Sequence, residues 1–285
     1  MDALERVSDF LDRAEAVLIG GGAGLSAAAG IDYAGDGFRR AFADYIARYG
    51  FTNLYSSGFY EFPTEGERWA RWARHVDYAC LQRPAMPLYM LLFQLVRDKE
   101  YFVITTNVDA QFEKAGFDTA RLFAVQGDHR EMQCARACHQ KVYSNLDAVK
   151  KILETTHDLT IPESLVPRCP VCGGKMEMHL RVDGYFIQDE AWHRSARRYE
   201  EFLACYGKKS LLLLEMGVGF NTPTIIRYPF EEITFFNPSS LLVRMSLECP
   251  PPQLPIRSRT VTIPEPMRTV VEQLLAARRK PRPAH

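Results

Sequence analysis

The 285-residue sequence predicts an α/β fold in which helices cover both faces of one parallel sheet. The first reason is a recurring order of apolar run, polar loop and helix. The apolar runs are residues 16–19, 101–105, 122–125, 210–214 and 241–246. The second reason is a glycine-rich segment, 20–24, directly after the first run. The third is a region with two close cysteine pairs that interrupts this order. We therefore predict a Rossmann-like sheet with an inserted small zinc-binding module and a helical cap.

The helices follow from apolar periodicity and from their end signals. Pro87 suits the first turn of one helix, and Gly50 is a plausible stop for another. Helical patterns are predicted at 4–11, 25–30, 38–51, 69–80, 87–96, from about 110, and at 146–156, 191–206, 223–232 and 266–279. We expect one catalytic domain over 1–285, with a cap at 33–82 and a zinc-binding module at 131–190.

The composition is globular, with 47% hydrophobic and 25% charged residues. Lys+Arg and Asp+Glu are both 35, and this balance gives no indication of non-specific nucleic-acid binding. The first fifteen residues lack the apolar core of a signal peptide, and the longest apolar runs are too short to cross a bilayer. We therefore expect a soluble, cytoplasmic protein with neither nucleic acid nor membrane among its partners.

The glycine-rich segment 20–24 has the chemistry of a phosphate-binding turn. Glycine allows a backbone to approach closely and to take a positive φ, and a helix N-terminus offers free N–H groups to an anion. No Gly-Lys-Ser/Thr follows, which argues against a P-loop. A tight strand-to-helix turn without a ligand is the alternative. Because parallel strands bind ligands at their carboxyl ends, the loops at 20–24, 105–109 and 126–128 should meet in one crevice.

The four paired cysteines predict a structural zinc site. The pairs are Cys134 with Cys138 and Cys169 with Cys172, and the second reads Cys-Pro-x-Cys-Gly. Two such pairs fill the tetrahedral coordination of one Zn²⁺ and leave no open position for catalysis. A redox pair or chance clustering is the alternative. His139 is a conceivable ligand that we expect at the surface instead, and we expect Cys80, Cys205 and Cys249 to be buried thiols.

Several motifs in order resemble those of the sirtuins, over about residues 16–246. Residues 22–26, GAGLS, resemble the sirtuin GAGxS loop, and 106–109, TNVD, resemble QNxD. Gly217-Val218-Gly219 occupies the place of the GTS loop. Gln126-Gly127 stands where sirtuins carry His-Gly, eight residues before the first zinc cysteine, as in the family.

Three departures make the chain similar to the class M sirtuins. Gln126 replaces the sirtuin histidine, residues 31–33 read Ile-Asp-Tyr, and Ser246 stands where many sirtuins have Asn. The resemblance implies protein mono-ADP-ribosylation with NAD as co-substrate and a lipoylated carrier protein, similar to the glycine cleavage carrier, as acceptor. It also implies a partner macrodomain hydrolase that reverses the modification.

The resemblance also implies which residues act. Asn107, Asp109 and Gln126 are the implied catalytic residues, although capping of a helix is the alternative for Asn107 and Asp109. The implied NAD contacts, which include these three, are Gly22, Ala23, Gly24, Ser26, Asp32, Tyr33, Thr106, Asn107, Asp109, Gln126, Gly217, Val218, Gly219 and Ser246.

Gln126 separates the candidate reactions. A glutamine amide cannot accept a proton at neutral pH, so the base that a deacylase needs is missing. An acceptor carboxylate is already ionised and needs no strong base, which favours ADP-ribosyl transfer. Three alternatives remain: an NAD-dependent deacylase or delipoylase using a displaced base such as His129, a non-catalytic NAD-binding module, and an NAD glycohydrolase.

Overall fold

The computed structural model describes residues 2–246 and 253–279, and a six-stranded parallel sheet forms their centre. The strands, in chain order, are β1 (Ala16–Gly21), β2 (Glu100–Thr105), β3 (Leu122–Ala124), β4 (Gly127–Cys134), β5 (Tyr143–Ser144), β6 (Met176–Leu180), β7 (Leu211–Met216), β8 (Ser240–Met245) and β9 (Thr260–Ile263). The parallel sheet has the order β3-β2-β1-β7-β8-β9. The predicted Rossmann-like sheet is therefore confirmed.

Helices cover both faces of this sheet. They are α1 (Ala3–Arg13), α2 (Ala23–Ala29), α3 (Asp36–Ala41), α4 (Ala43–Tyr49), α5 (Glu65–Val76), α6 (Pro87–Val96), α7 (Gln111–Lys114), α8 (Leu146–Thr155), α9 (Glu190–Tyr206), α10 (Arg227–Phe236) and α11 (Met267–Arg279). Residues from α1, α6 and α11 pack on one face, and residues from α9 and α10 pack on the other. Every residue of β1, β7 and β8 is buried, as expected for strands covered on both sides.

The order of the strands creates a switch point between β1 and β7. The chain proceeds from β1 outward to β2 and β3, and then returns to build β7, β8 and β9 on the other side. Loops leaving β1 and β7 therefore diverge to opposite faces and leave a crevice at their carboxyl ends. The glycine-rich segment and Gly217–Gly219 both lie at this edge.

A second, antiparallel sheet of order β5-β4-β6 carries the cysteine pairs. Helix α5 packs against α8 beside it, and one buried cluster joins Trp69 and Val76 of α5 to Cys134 and Val149. A separate aromatic cluster, which includes Phe42, holds α3, α4 and the following loop together. Helix α5 of the cap and the cysteine-bearing region thus share a core.

The structure corrects the predicted helix at 38–51. It divides into α3 and α4 at Phe42, whose φ of −124° and ψ of 24° are not helical. The bend places the Phe42 ring 5.4 Å from Phe38 and 5.7 Å from Tyr78, so aromatic packing outweighs helical periodicity. The predicted stop at Gly50 is confirmed, because this residue caps α4 with a φ of +68°.

The predicted helix at 223–232 is also displaced, since α10 covers Arg227–Phe236. Pro229 explains the displacement. In α10 it lies in the first turn, where its missing N–H costs no bond, whereas a start at 223 would place it in the helix interior.

Other differences concern strands. β4 begins at Gly127, inside the predicted loop 126–128, and neither β4, β5, β6 nor β9 was predicted. The sequence of β4, GDHREMQC, has no apolar alternation to reveal it. Cys80 is buried as expected, Cys205 is exposed against expectation, and Cys249 lies outside the described residues. Within the described part of the chain, no helix has the length and apolar character needed to cross a membrane.

Candidate functional site

The crevice is built where the backbones of two loops touch. Gly24 N–H donates to Gly217 O at 2.9 Å, and Gly217, with a φ of +62°, donates to Met245 O at 2.9 Å. A Cβ on Gly22 would lie 2.6 Å from Gly217 O, and one on Gly217 would lie 2.1 Å from Leu25 N. These glycines are therefore required for contact between the β1 and β7 loops, a reason for glycine beyond approach to a phosphate.

The loop after β2 joins the same edge. Thr106 N–H donates to Gly21 O at 3.0 Å, and the Asn107 side-chain Nδ2 donates to Gly22 O at 3.0 Å. Val125 N–H donates to Thr105 O at 3.0 Å, which fixes the loop after β3 beside them. The predicted convergence of the three strand-end loops is thus confirmed.

A buried chain of hydrogen bonds lies below these loops. Asn107 Nδ2 donates to the Tyr89 hydroxyl at 3.1 Å, and that hydroxyl lies 3.0 Å from Ser26 Oγ. Ser26 in turn donates to Asp109 Oδ2. Since Tyr89 accepts from Asn107, its own proton points to Ser26. All donors therefore run toward the Asp109 carboxylate, and the bonds polarise one another.

Asp109 is held as a buried carboxylate. Its Oδ1 accepts the N–H of Gln111, the first residue of α7, at 3.0 Å, but the N-cap of α7 is Ala110, so Asp109 forms a local turn before the helix and not the cap considered for it. Burial raises the pKa of Asp109, while the bonds from Ser26 and Gln111 oppose that shift. Asn107 caps no helix. Its Oδ1 accepts no hydrogen bond from any residue that the structure describes, and this leaves an acceptor at the crevice.

Gln126 lies directly between β3 and β4. Its carbonyl accepts the N–H of Arg181 at 3.1 Å, and its half-buried side chain makes no hydrogen bond within residues 2–246 and 253–279. Gly127 follows with a φ of +92°, and a Cβ there would lie 1.9 Å from His179 O. The glycine after Gln126 is therefore required for β4 to pass β6.

Asp32 and Tyr33 differ in what surrounds them. The Asp32 carboxylate accepts the N–H groups of Ala34, Gly35 and Gly37 at 3.2, 2.5 and 2.8 Å, and these bonds lower its pKa. It is thus engaged in the turn that starts α3. Tyr33 is near Ser26 and Asp109, and burial, aided by the Asp109 charge, raises its pKa.

The far side of the crevice rests on a buried ion network. Arg227 Nη2 donates to Glu215 Oε1 at 2.9 Å and to Val218 O at 2.7 Å. Arg244 binds both oxygens of Glu215, at 2.8 and 2.9 Å, and Glu231 Oε1 at 2.9 Å. The network fixes Val218, whereas Gly219 is exposed. Ala23 is exposed at the start of α2, and Ser246 directly follows β8.

The four paired cysteines meet at one point. All their sulfur atoms lie within 4.8 Å of one another, with Cys134 and Cys172 3.8 Å apart and Cys138 and Cys169 3.6 Å apart. A tetrahedral Zn²⁺ with Zn–S bonds of about 2.3 Å sets sulfurs about 3.8 Å apart. The geometry fits one structural zinc with no open position.

Two histidines near the predicted sites occupy other roles. His139 is half-buried rather than at the surface. Its Nδ1 lies 3.1 Å from Cys138 Sγ, and its Nε2 lies 2.8 Å from the Tyr143 hydroxyl. His129 is buried with its Nδ1 3.9 Å from Cys80 Sγ, and burial lowers its pKa to about 4. A ring with so low a pKa is a weak base, which argues against His129 as a replacement base.

Sequence reasoning missed two groups that organise the site. Tyr89 stands in an apolar helix and resembles a core residue, yet its hydroxyl connects Asn107 to Ser26. Glu215 ends an apolar strand, and Arg227 and Arg244 lie 12 and 29 residues later. A charged residue at the end of a buried strand was the available signal, because buried charges need partners.

Comparisons with known proteins agree with this architecture. The model of the Sir2 family matches residues 22–205. A protein ADP-ribosyltransferase of Staphylococcus aureus strain Mu50 is 32% identical over 266 residues, which cover 93% of this chain and 84% of that protein. A probable bifunctional ADP-ribose hydrolase/ADP-ribosyltransferase of Fusarium oxysporum f. sp. cubense is 33% identical over 249 residues, 81% of this chain and 40% of that protein.

Solved structures share the fold. Sir2Tm bound to a propionylated peptide has a TM-score of 0.60 at 18% identity, covering 96% of this chain and 98% of that one. A complex of Sir2, a p53 peptide and NAD+ has a TM-score of 0.57 at 17% identity, covering 97% and 98%. Together with the family match and the glycine-lined crevice, these relatives show that the chain belongs to the Sir2 family of NAD-dependent enzymes.

Proposed function

We propose that this chain is an NAD-dependent protein mono-ADP-ribosyltransferase whose acceptor is a lipoylated carrier protein. The observation that carries the proposal is Gln126, an amide where a deacylase needs a base. Its loop is joined to the loop of Asn107 and Asp109, because Val125 N–H donates to Thr105 O and His129 N–H donates to Val108 O. The names of the Staphylococcus and Fusarium relatives support transfer of ADP-ribose.

In the proposed reaction, the bond between the nicotinamide nitrogen and the ribose carbon breaks. The electron pair of that bond neutralises the nicotinamide ring, and a carboxylate oxygen of the acceptor bonds to the ribose carbon. Positive charge develops on that carbon during the step. The buried Asp109 carboxylate, at the end of a chain of aligned donors, offers a fixed negative charge nearby.

The residues at the crevice would have different roles in the proposed reaction. The backbone at 22–24 and 217–219 would hold the pyrophosphate, with Ser26, Asp32, Tyr33, Thr106 and Ser246 in supporting positions. Asn107 Oδ1 would accept a hydrogen bond from a ribose hydroxyl or from a water. Gln126 would orient the ribose through its amide without removing a proton. We also propose the division into a cap at 33–82 and a zinc-binding module at 131–190 within one cytoplasmic catalytic domain.

A macrodomain hydrolase is the proposed partner that removes the modification. The Fusarium relative supports it, because its name joins a hydrolase and a transferase in one protein. The residues matched here cover 40% of that relative.

The test is transfer of labelled ADP-ribose from NAD to a carrier protein in lipoylated and unlipoylated forms. Label on the lipoylated carrier alone, lost with Asn107→Ala, is the expected result. Gln126→His should reduce transfer, while Gln273→His, an exposed position on α11, is the matched control and should leave it unchanged.

Other products would overturn the proposal. Nicotinamide release together with acyl-ADP-ribose and no labelled protein would identify a deacylase. Free ADP-ribose as the main product would identify a glycohydrolase. NAD binding without turnover on either carrier, with Asn107→Ala unchanged, would identify a binding module.

A further inference from the structure

Helix α5 buries an arginine to which the described residues supply no counter-ion. Arg71 is fully buried, and within residues 2–246 and 253–279 no carboxylate lies within ion-pair distance of it. Its Nη2 donates to Leu54 O at 2.9 Å and to Ser57 Oγ at 2.5 Å, and its guanidinium carbon lies 4.3 Å from the centre of the Trp72 ring. A buried charge left uncompensated is costly, so an arginine in this position needs an anion.

The polar atoms around Arg71 also lack partners. Arg71 Nε and Nη1, both ring nitrogens of His75 and the Tyr45 hydroxyl are buried, and none has a hydrogen-bond partner among the described residues. His75 lies one turn after Arg71 on the same face of α5. Burial, with His129 and Arg71 nearby, lowers the pKa of His75 far below its usual value, so the ring is neutral.

These atoms form a site with more donors than acceptors. Arg71 offers three unused N–H groups, and a neutral His75 ring offers one N–H and one acceptor. With a single positive charge, such a set matches an acceptor-rich anion, and the planar guanidinium matches a carboxylate in particular. Water alone would satisfy the hydrogen bonds but would leave the charge uncompensated.

One side of this site faces solvent and the other side faces the crevice. Gly58 and the half-buried Trp72 cover Arg71 on the outside, beside the exposed rings of Tyr55 and Phe59. On the inside, the His75 ring lies 4.5 Å from the His129 ring. The backbone N–H of His129 donates to Val108 O at 3.1 Å. Val108 stands between Asn107 and Asp109, so a bound group would lie behind the catalytic loop.

We propose that Arg71, His75 and Tyr45 form an internal binding site for one carboxylate group, which enters past Gly58 and Trp72. The carboxylate completes the ion pair that the fold leaves open. It belongs either to a small free acid or to the end of a longer chain on a protein. This site is separate from the proposed transfer reaction, and its test requires no turnover.

The first experiment is thermal unfolding of the full chain with acetate, with acetamide as the neutral analogue and with chloride at equal ionic strength. Acetate at about ten times its Kd should raise Tm by about 3 °C, and acetamide and chloride should not. Formate and butyrate extend the series. A rise in Tm with formate and acetate but not with butyrate indicates a small free acid. A rise in Tm that persists with butyrate indicates the end of a longer chain.

The second experiment supplies the carboxylate from the chain itself. A Cβ on Gly58 would lie 3.8 Å from both Arg71 Nη1 and Nη2 and 3.6 Å from Trp72, so an aspartate there fits and reaches the guanidinium. Gly58→Asp should unfold at a higher temperature than the isosteric Gly58→Asn and should lose the response to acetate. Arg198→Met, which removes an exposed arginine on α9, should keep that response.

Either of two results would overturn the proposal. One is an equal effect of acetate and acetamide on the unmodified chain. The other is a Gly58→Asp variant that is no more stable than Gly58→Asn and still responds to acetate. Neither result depends on Arg71→Met, which could fail to fold because Leu54 O and Ser57 Oγ would lose their donor.

Discussion

Arginines are buried in two regions of the molecule, and among the described residues they are paired with carboxylates in only one of these regions. At the ends of β7 and β8, Arg227 and Arg244 share Glu215 and Glu231, so two guanidinium groups face two carboxylates. On α5, Arg71 is equally buried but bonds only to neutral oxygens. Arg227 also leaves Nε and Nη1 without partners, yet its charge is balanced.

The difference indicates what each region does. The Glu215 network balances the charges of its arginines, and it holds Val218 at the edge of the crevice through a 2.7 Å bond. Such a network gives a loop one fixed position, because each partner restricts the next. The Arg71 region has unused donors and an unbalanced charge, which is the pattern of a site that receives a ligand. The following predictions test this contrast.

Zinc removal should have the largest effect and should separate the two regions. Zinc binding to thiolates contributes about 10–16 kcal/mol in small zinc domains. Because α5 packs against Cys134 and Cys169, chelation should expose α5 and β4 to amide hydrogen exchange, while β7 and β8 keep their protection. Equal loss of protection in all four elements would contradict the separation. Restoration of protection by added zinc is the control.

Glu215→Gln should be the most damaging single change in the balanced region. It leaves Arg227 and Arg244 buried with one carboxylate fewer, and the free energy of unfolding should fall by about 3–5 kcal/mol. Urea unfolding measures this fall. Glu231→Gln is the matched control and should cost less, since Glu231 is partly exposed and, among the described arginines, pairs with Arg244 alone. Equal losses would show that the two carboxylates share the charge evenly.

Acid should weaken the Arg71 region first. The pKa of His129 is about 4 in the fold and about 6.5 in the unfolded chain, so the unfolded chain binds more protons between these values. The free energy of unfolding is therefore highest above pH 6.5, and it falls by about 3 kcal/mol as the pH is lowered to 4. Burial and the Arg71 charge oppose protonation of this ring, and the Asp128 charge favours it.

Urea unfolding between pH 7 and pH 4.5 measures this loss. The variant His129→Phe keeps a ring in place and should reduce the dependence on pH, while His75, whose pKa is also lowered, retains part of it. The variant His193→Asn, at an exposed position on α9, should leave it unchanged. An unchanged slope in His129→Phe would assign the acid sensitivity to another group.

The aromatic partners of the two arginines should show the smallest effects. The guanidinium carbon lies 4.3 Å from the ring centre in both pairs, Arg71 over Trp72 and Arg227 over Phe220. Phe220 is exposed and Arg227 is neutralised, so Phe220→Leu should cost about 0.5 kcal/mol. Trp72→Leu should cost about 2 kcal/mol, because Arg71 has no counter-ion. Thermal unfolding compares them, and equal costs would count against an unbalanced charge at Arg71.

Much of the large sheet was predictable because its signals are local. β1, β2, β3, β7 and β8 are short apolar runs bounded by loop residues, and Gly50 and Pro87 mark helix ends by their own backbone chemistry. The break at Phe42 was not predictable, since it depends on contact with Tyr78, 36 positions later. β4 was missed for a similar reason. It has no apolar alternation of its own, and its pairing with β6, far along the chain beside the zinc cysteines, defines it as a strand.

The sequence by itself determined the edge of the sheet at which Gly22, Asn107 and Gln126 meet, because parallel strands end on one side. It also determined the four zinc cysteines, because thiolate pairs carry their own geometry. The tertiary structure alone decided that Tyr89 joins Asn107 to Ser26 and that Arg71 is buried with no carboxylate of residues 2–246 or 253–279 beside it. Burial and pairing of a charge depend on residues far apart in the chain, and local patterns do not contain them.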